Sequence, residues 1–259
     1  MKRLISMLLT AVLFAAMLSG CGNRHPSDRA YIQEKGTLKI GITEYAPMDY
    51  KDENGNWIGF DADFANLICK GLGIDAEFLV LSDWGQKYYE LETGNIDAIW
   101  NGMTITEETL RNTSCSDPYA VNAQVVVMKA DVIDDYTSQS DLTGLTFAVE
   151  SGSAGEAVLS DLGMEDVVVL PDQADALMEV EAGTADACVV DLTMANAMTG
   201  EGTGYSNLAA GISLSSETYG IGFRKESDLT AEVNRLIRQF KGNGTLQDLA
   251  DRYGLTIAE

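Results

Sequence analysis

Two short stretches set 89 positions apart limit what this chain can fold into more than any other feature of it. Leu91-Glu92-Thr93-Gly94-Asn95-Ile96-Asp97-Ala98 is echoed by Val180-Glu181-Ala182-Gly183-Thr184-Ala185-Asp186-Ala187. Each reads as the end of a helix, a glycine that turns the chain out of it, and a strand bearing Asp-Ala. The same device used twice predicts two α/β lobes built on similar lines. A further strand start at Leu145-Thr146-Phe147-Ala148-Val149 belongs to the later lobe. Strands alternating with helical stretches predict mostly parallel sheets covered by helices.

Local patterns fill in this outline. Thr37-Leu38-Lys39-Ile40-Gly41-Ile42 has a strand pattern, and Asp52-Glu53-Asn54-Gly55-Asn56 marks a turn between two extended runs. Phe60, Phe64, Leu67 and Ile68 share one helical face, so residues 60–70 should form an amphipathic helix that Gly71 and Gly73 end. Leu229, Val233, Leu236, Ile237 and Phe240 line a second such helix, stopped by Gly242 and Gly244. Thr245, with Asp248 three residues on, should cap a shorter helix that ends near Gly254. Gly200-Glu201-Gly202-Thr203-Gly204 follows no strand, and reads as a flexible turn rather than a nucleotide loop.

The formal net charge of -23 sets nucleic-acid binding aside, because so acidic a surface repels phosphate backbones. Lys2 and Arg3 precede an apolar stretch from Leu4 to Leu18, then Ser19, Gly20 and Cys21. That is the pattern of an export signal over residues 1–20, too short for the ~20 apolar residues of a bilayer-spanning helix. Leu18-Ser19-Gly20-Cys21 is similar to the lipobox of bacterial lipoproteins. In those proteins the cysteine thiol receives a diacylglycerol, and acyl chains such as palmitate hold the protein at the outer face of the membrane. Residues 21–36 are polar and aperiodic, contain Pro26 and the only histidine, His25, and are expected to be a tether. Cys69, Cys115 and Cys188 are too scattered and odd in number for a disulfide framework, so buried free thiols are expected.

Five fragments, in order, carry a family resemblance: "GTLKIGITEYAPMDYKDENGNWIGFDADFANLI", "GNIDAIWNGMTIT", "SDPY", "EAGTADACVVD" and "YGIGFRK". Over Gly36 to Leu255 the chain resembles the extracellular solute-binding proteins of family 3, which serve ABC importers of polar amino acids. The resemblance implies a two-lobed α/β fold of the periplasmic-binding-protein type II, with two hinge strands and a ligand cleft between the lobes. Lobe one would comprise residues 37–120 and 219–259, and lobe two residues 121–218. The hinges would lie near Pro118-Tyr119-Ala120 and Glu217-Thr218-Tyr219. It also implies a monomer outside the cytoplasm, with the permease subunits of an importer as partners, no cofactor, no metal and no catalysis.

The resemblance further implies a set of ligand contacts. Glu44 and Tyr45 follow the first strand, and Trp84 would pack on the ligand side chain. Asn101, Gly102, Met103 and Thr104 would offer backbone groups and a hydroxyl, with Thr104 and Glu107 also fit for a capping box. In lobe two, Glu150 and Ser153 lie in or beside the loop that meets the ligand carboxylate, and Asp191 matches the acid that holds an α-ammonium. One departure stands out. The family's carboxylate-gripping arginine is replaced by Thr109, and Arg111, two positions along a helix, points about 200° away. Three acids and no such arginine predict a cationic or amine-rich ligand over an acidic amino acid.

Other readings compete. A dehydratase evolved on the same scaffold could use Glu150 or Asp191 as a general acid. With its one histidine in the tether, the cleft holds no serine–histidine or cysteine–histidine pair. The same absence disfavours zinc, while carboxylates leave calcium open. A ligand-sensing receptor domain would have the same architecture.

Overall fold

The computed structural model describes residues 27–259, so the export signal, Cys21 and the start of the tether lie outside the described residues. The strands of the first part are β1 (Thr37–Ile42), β2 (Tyr50–Lys51), β3 (Trp57–Ile58), β4 (Asp75–Val80), β5 (Ala98–Ile99), β6 (Ser114–Cys115) and β7 (Ala120–Asn122). They are followed by β8 (Gln124–Lys129), β9 (Phe147–Glu150), β10 (Val167–Leu170), β11 (Ala187–Asp191) and β12 (Leu208–Ser213). The chain ends with β13 (Glu217–Tyr219), β14 (Gly222–Phe223) and β15 (Thr256–Ile257).

Two five-stranded sheets organise the molecule, in the orders β4-β1-β5-β14-β6 and β10-β9-β11-β8-β12. In the first, β1 lies parallel to β4 and β5, while β14 runs antiparallel to β5 and β6. In the second, β10, β9 and β11 are parallel, β8 runs antiparallel to β11, and β12, paired antiparallel with β8, runs the same way as β9 and β11. The second sheet draws on one continuous stretch of chain, the first on segments from both sides of it. The backbone crosses between them in β7 and β13, which pair antiparallel with Glu217 opposite Asn122, and β15 completes that small sheet. All five residues of β11 and the Val125-Val126-Val127-Met128 run of β8 are buried, as central strands covered on both faces require.

The helices, in chain order, are α1 (Asp28–Lys35), α2 (Phe60–Leu72), α3 (Lys87–Thr93), α4 (Glu107–Asn112), α5 (Ala154–Asp161), α6 (Gln173–Ala182), α7 (Leu192–Met198), α8 (Leu229–Gly242) and α9 (Thr245–Tyr253). The repeated sequence is the same structural device in both lobes. α3 ends at Gly94 and α6 at Gly183, each glycine left-handed, and each then feeds a central strand. α2 buries Phe60, Phe64 and Ile68, as its periodicity requires, and Phe64 meets Trp100 edge-on at 5.3 Å and Tyr119 at 5.6 Å.

Several local expectations need correction. α2 runs through Gly71 to Leu72 and is closed by Gly73, and α8 includes Gly242 and is closed at Asn243. Residues 28–35 of the expected tether form α1, which packs on lobe one. Ser27 caps it by accepting from the Ala30 N–H, Ile32 is its single buried anchor, and Gly36 closes it. Ion pairs of Asp28 with Arg224 (3.2 Å) and of Lys35 with Asp97 (2.5 Å) fasten its two ends. With one anchor and charged clamps there is no apolar stripe for periodicity to reveal. Thr104 does not cap α4; Thr106 does, accepting from the Thr109 N–H. The N-cap of α9 is Gly244, with Thr245 already helical. The three thiols are unpaired, with Cys69 and Cys188 buried and Cys115 half-buried.

Candidate functional site

The carboxyl ends of parallel strands converge where an α/β sheet meets its ligand. Here the end of β5 leads into Trp100 to Thr104, that of β9 into Glu150 to Ser153, and β11 finishes on Asp191. Between the lobes these ends enclose a cavity of about 410 Å³, inside the usual range for small-molecule sites.

Eight of the ten expected contacts line it: Trp84, Asn101, Gly102, Met103, Thr104, Glu150, Ser153 and Asp191. Glu44 and Tyr45 do not. Glu44 is exposed to solvent. Tyr45 is buried beside the cleft, its hydroxyl committed to Thr193 of α7 and, at 2.7 Å, to Tyr219 of β13. It is a contact between the lobes rather than a wall of the cavity. With Glu44 gone, one of the three acids behind the expectation of a cationic ligand is absent from the site.

Several of the lining groups already have duties. Asn101 accepts from the N–H and hydroxyl of Thr43, and donates to Asp49 at 2.7 Å, which fixes the loop's start. Gly102 follows at φ +57° and donates its N–H to the buried Asp61 at 2.6 Å. Thr104 donates its hydroxyl to Glu217 of β13 at 2.9 Å. It stands opposite Tyr219, but the flanking bonds run from Ile105 N to Thr218 O and from Gly220 N to Met103 O. The Thr104 N–H therefore points away from β13 and makes no bond among the described residues. Ser153 caps α5 by accepting from the Glu156 N–H.

Asp191 is 4 % exposed and held by three amides. One oxygen accepts from Asn122 (2.5 Å) and Gln124 (2.7 Å), the other from Gln173 (2.5 Å). Burial, reinforced by the Glu217 carboxylate, pushes its pKa up to about 7. Glu150 is also buried; that burial, and then Asp191, raise it well above the usual carboxylate value, against the pull of Lys87.

Sequence reasoning missed Lys87, Tyr88, Gln124 and Gln173, all of which line the cavity. Lys87 is the consequential one. It is 4 % exposed, sits 5.0 Å from the Trp84 ring centroid and 4.7 Å from that of Tyr88, and donates to the Gly152 carbonyl of lobe two at 2.7 Å. Burial lowers its pKa to about 8, against the carboxylates of Glu150, Glu108, Asp83 and Glu156. Its one sequence signal was its place three residues after Trp84, on the first turn of a helix. Thr109, at the expected arginine position, is 2 % exposed; its hydroxyl donates to the Thr104 carbonyl at 2.8 Å and lies 3.1 Å from the Tyr88 hydroxyl. Arg111 is at the rim, 69 % exposed, with Glu107 at 3.5 Å.

The lobes touch at the cleft mouth, where Trp84 N donates to Pro171 O at 3.3 Å and Lys87 reaches Gly152. The arrangement can enclose a small polar solute between groups from both lobes.

The chain is similar to proteins of this build. It is 26% identical over 251 residues to the L-cystine-binding protein TcyJ of Escherichia coli (strain K12), covering 95% of this chain and 94% of TcyJ. Among solved structures, a mutant of ArgBP from T. maritima superposes with a TM-score of 0.80 at 34% identity, over 87% of this chain and 98% of that one. The ancestral amino acid-binding protein AncCDT-1, a precursor of cyclohexadienyl dehydratase, gives a TM-score of 0.79 at 31% identity, over 88% and 99%. The family model of the bacterial extracellular solute-binding proteins, family 3, matches residues 38–256. With the sheets, the two crossing strands and the interlobe cavity in place, the chain belongs to that family of two-lobed binding proteins.

Proposed function

We propose that this protein captures an amino acid or a related amine outside the cytoplasm and presents it to an ABC importer. The observation that carries the reading is the cavity of about 410 Å³ between the lobes, bounded by Thr104 and Trp84 on one side and by Asp191 and Glu150 on the other. A ligand that touches both lobes favours their closed arrangement by its differential affinity for it. Asp191 holds the ligand's ammonium, the free N–H of Thr104 meets an oxygen, and Trp84 packs on the side chain. Relatives support the ligand class: TcyJ is described as binding L-cystine, and ArgBP has been solved with arginine bound.

The protein acts by binding rather than by chemistry. AncCDT-1, although a precursor of a dehydratase, is itself described as an amino acid-binding protein. No helix among the described residues is long and apolar enough to cross a membrane. A diacylglycerol on Cys21 supplies the attachment in this reading, and permease subunits are the protein partner.

A thermal-shift screen of residues 22–259 against amino acids, polyamines and other small amines tests the function. A ligand at 100 times its Kd adds ~2.7 kcal/mol to stability, which is easily read as a shift in melting temperature. Silence across the whole panel would overturn the ligand class. Loss of membrane association on Cys21→Ala, read by fractionation, tests the anchor.

A further inference from the structure

The geometry points to Lys87 as the group that receives the carboxylate of the ligand, so that the site selects zwitterionic amino acids over the corresponding bare amines. This rests on the amino-acid reading of the cleft and goes beyond it by naming what separates one class of ligand from the other.

An α-amino acid carries a carboxylate into a cavity closed by both lobes, and a buried carboxylate without a cation or several N–H donors is costly. Among the described residues, two lining side chains are cationic, Lys87 and Arg111. Arg111 is mostly in solvent and already beside Glu107, so it has little to offer. Lys87 is buried, and its ammonium lies over the rings of Trp84 and Tyr88. Its ammonium has three N–H bonds; one goes to Gly152 O at 2.7 Å, and the contact with Trp84 O, at 3.5 Å, is long. At least one donor is left for a ligand.

The position is also right. The ammonium lies over the Tyr88 ring, and the Tyr88 hydroxyl lies 3.1 Å from that of Thr109. Thr109 in turn donates to the Thr104 carbonyl. Lys87 thus shares the lobe-one lining of the cavity with Thr104, whose N–H is free among the described residues. An ammonium at Asp191 and a carboxylate between Lys87 and Thr104 N describe the two ends of an amino acid. Glu150 is the competitor for Lys87, but its burial beside Asp191 favours its protonated form, which leaves the lysine's charge to the ligand.

The test is isothermal calorimetry on wild type, Lys87→Met and Lys87→Arg, with paired probes: L-arginine and agmatine, L-histidine and histamine, L-lysine and cadaverine. For the pair that binds, wild type is expected to prefer the amino acid by at least tenfold. Lys87→Met should bring that ratio close to one, and Lys87→Arg should retain most of it. A ratio unchanged in Lys87→Met, with a melting curve that shows the variant folded, would overturn the assignment and leave amino-acid capture standing. So would a wild type that binds the bare amines as tightly. Should wild type bind none of these probes and no other amino acid, the reading of the cleft fails, and this inference with it.

Discussion

Gly85 of lobe one and Gly152 of lobe two face one another across the cleft mouth, so close that a Cβ on Gly152 would lie 2.8 Å from the Gly85 Cα. A contact of that kind exists only when the lobes are drawn together. A Cβ at Gly85 would meet the Ser151 hydroxyl at 2.6 Å, and Gly85 has no left-handed φ to strain. Gly85→Val is therefore expected to act as a wedge. Ligand affinity should fall by tenfold or more, about 1.4 kcal/mol or above, with the melting temperature of the free protein little changed. Calorimetry reads the affinity, and small-angle scattering should show that ligand no longer compacts the variant.

Asp191→Asn removes the carboxylate that lines the cavity and keeps the shape that Asn122, Gln124 and Gln173 hold. Loss of one partner of a desolvated charge pair costs about 2–5 kcal/mol, so binding should weaken by tens to thousands of fold. The free protein should melt within a few degrees of wild type. Unchanged affinity would move the ammonium elsewhere.

Affinity for the ligand should describe a bell against pH. Asp191 must lose its proton to hold an ammonium, and its pKa is about 7. Lys87, facing Asp83 of its own turn, Glu108 of α4, Glu150 of β9 and Glu156 of α5, must keep its proton, and its pKa is about 8. Binding therefore strengthens as pH rises towards 7 and weakens as it passes 8. Lys87→Met should remove the alkaline limb alone. Calorimetry across pH, in buffers of matched ionic strength, checks both limbs.

A second pH effect concerns stability. Asp61 is pushed up to about 7, first by burial. Asp49 beside it is raised by burial and then by Asp61. One oxygen of each has no hydrogen bond among the described residues. Because both folded-state values are raised, their stabilising contribution is fully present below the unfolded value of ~4 and is lost as pH rises through about 7. Glu150 and Asp191 act in the same direction. The ligand-free protein should melt at a lower temperature at pH 8 than at pH 5, and Asp61→Asn should flatten that slope.

Gly102→Ala should damage both fold and site. The residue is at φ +57°, and a Cβ there would meet Tyr45 Cε1 at 2.7 Å. Strain plus overpacking of this kind costs about 1–3 kcal/mol. Chemical denaturation gives the loss of stability, and the displaced loop should also weaken binding.

The architecture was legible because it is written in local signals. A glycine after a helix and an alternating strand pattern are read from neighbours in sequence, and Gly94, Gly183 and the Thr37–Ile42 strand did as the pattern predicts. α1 was not legible, since beside the single anchor Ile32 it is clamped by Arg224 and Asp97, far along the chain. The loop after Trp100 and the acid Asp191 were found through family resemblance. Lys87, Gln124 and Gln173 were hidden because their roles come from partners across the cleft or across a sheet: Gly152 for the lysine, Asp191 for both glutamines. Glu44 and Tyr45 stand where the first strand ends, but strand position alone does not say which way a side chain turns.

Trp84 sits at the seam between the lobes, 5 % exposed, with Lys87 over its ring. Trp100 is sealed in the core against Phe64, and Trp57 lies over Phe78 and under Lys51 on the β2–β3 hairpin; neither borders the cleft. When the lobes part, one indole of the three meets water and loses a neighbouring cation, while the other two keep their surroundings. The fluorescence of the unlabelled protein is thus a gauge of its opening, shifting to the red as Trp84 hydrates.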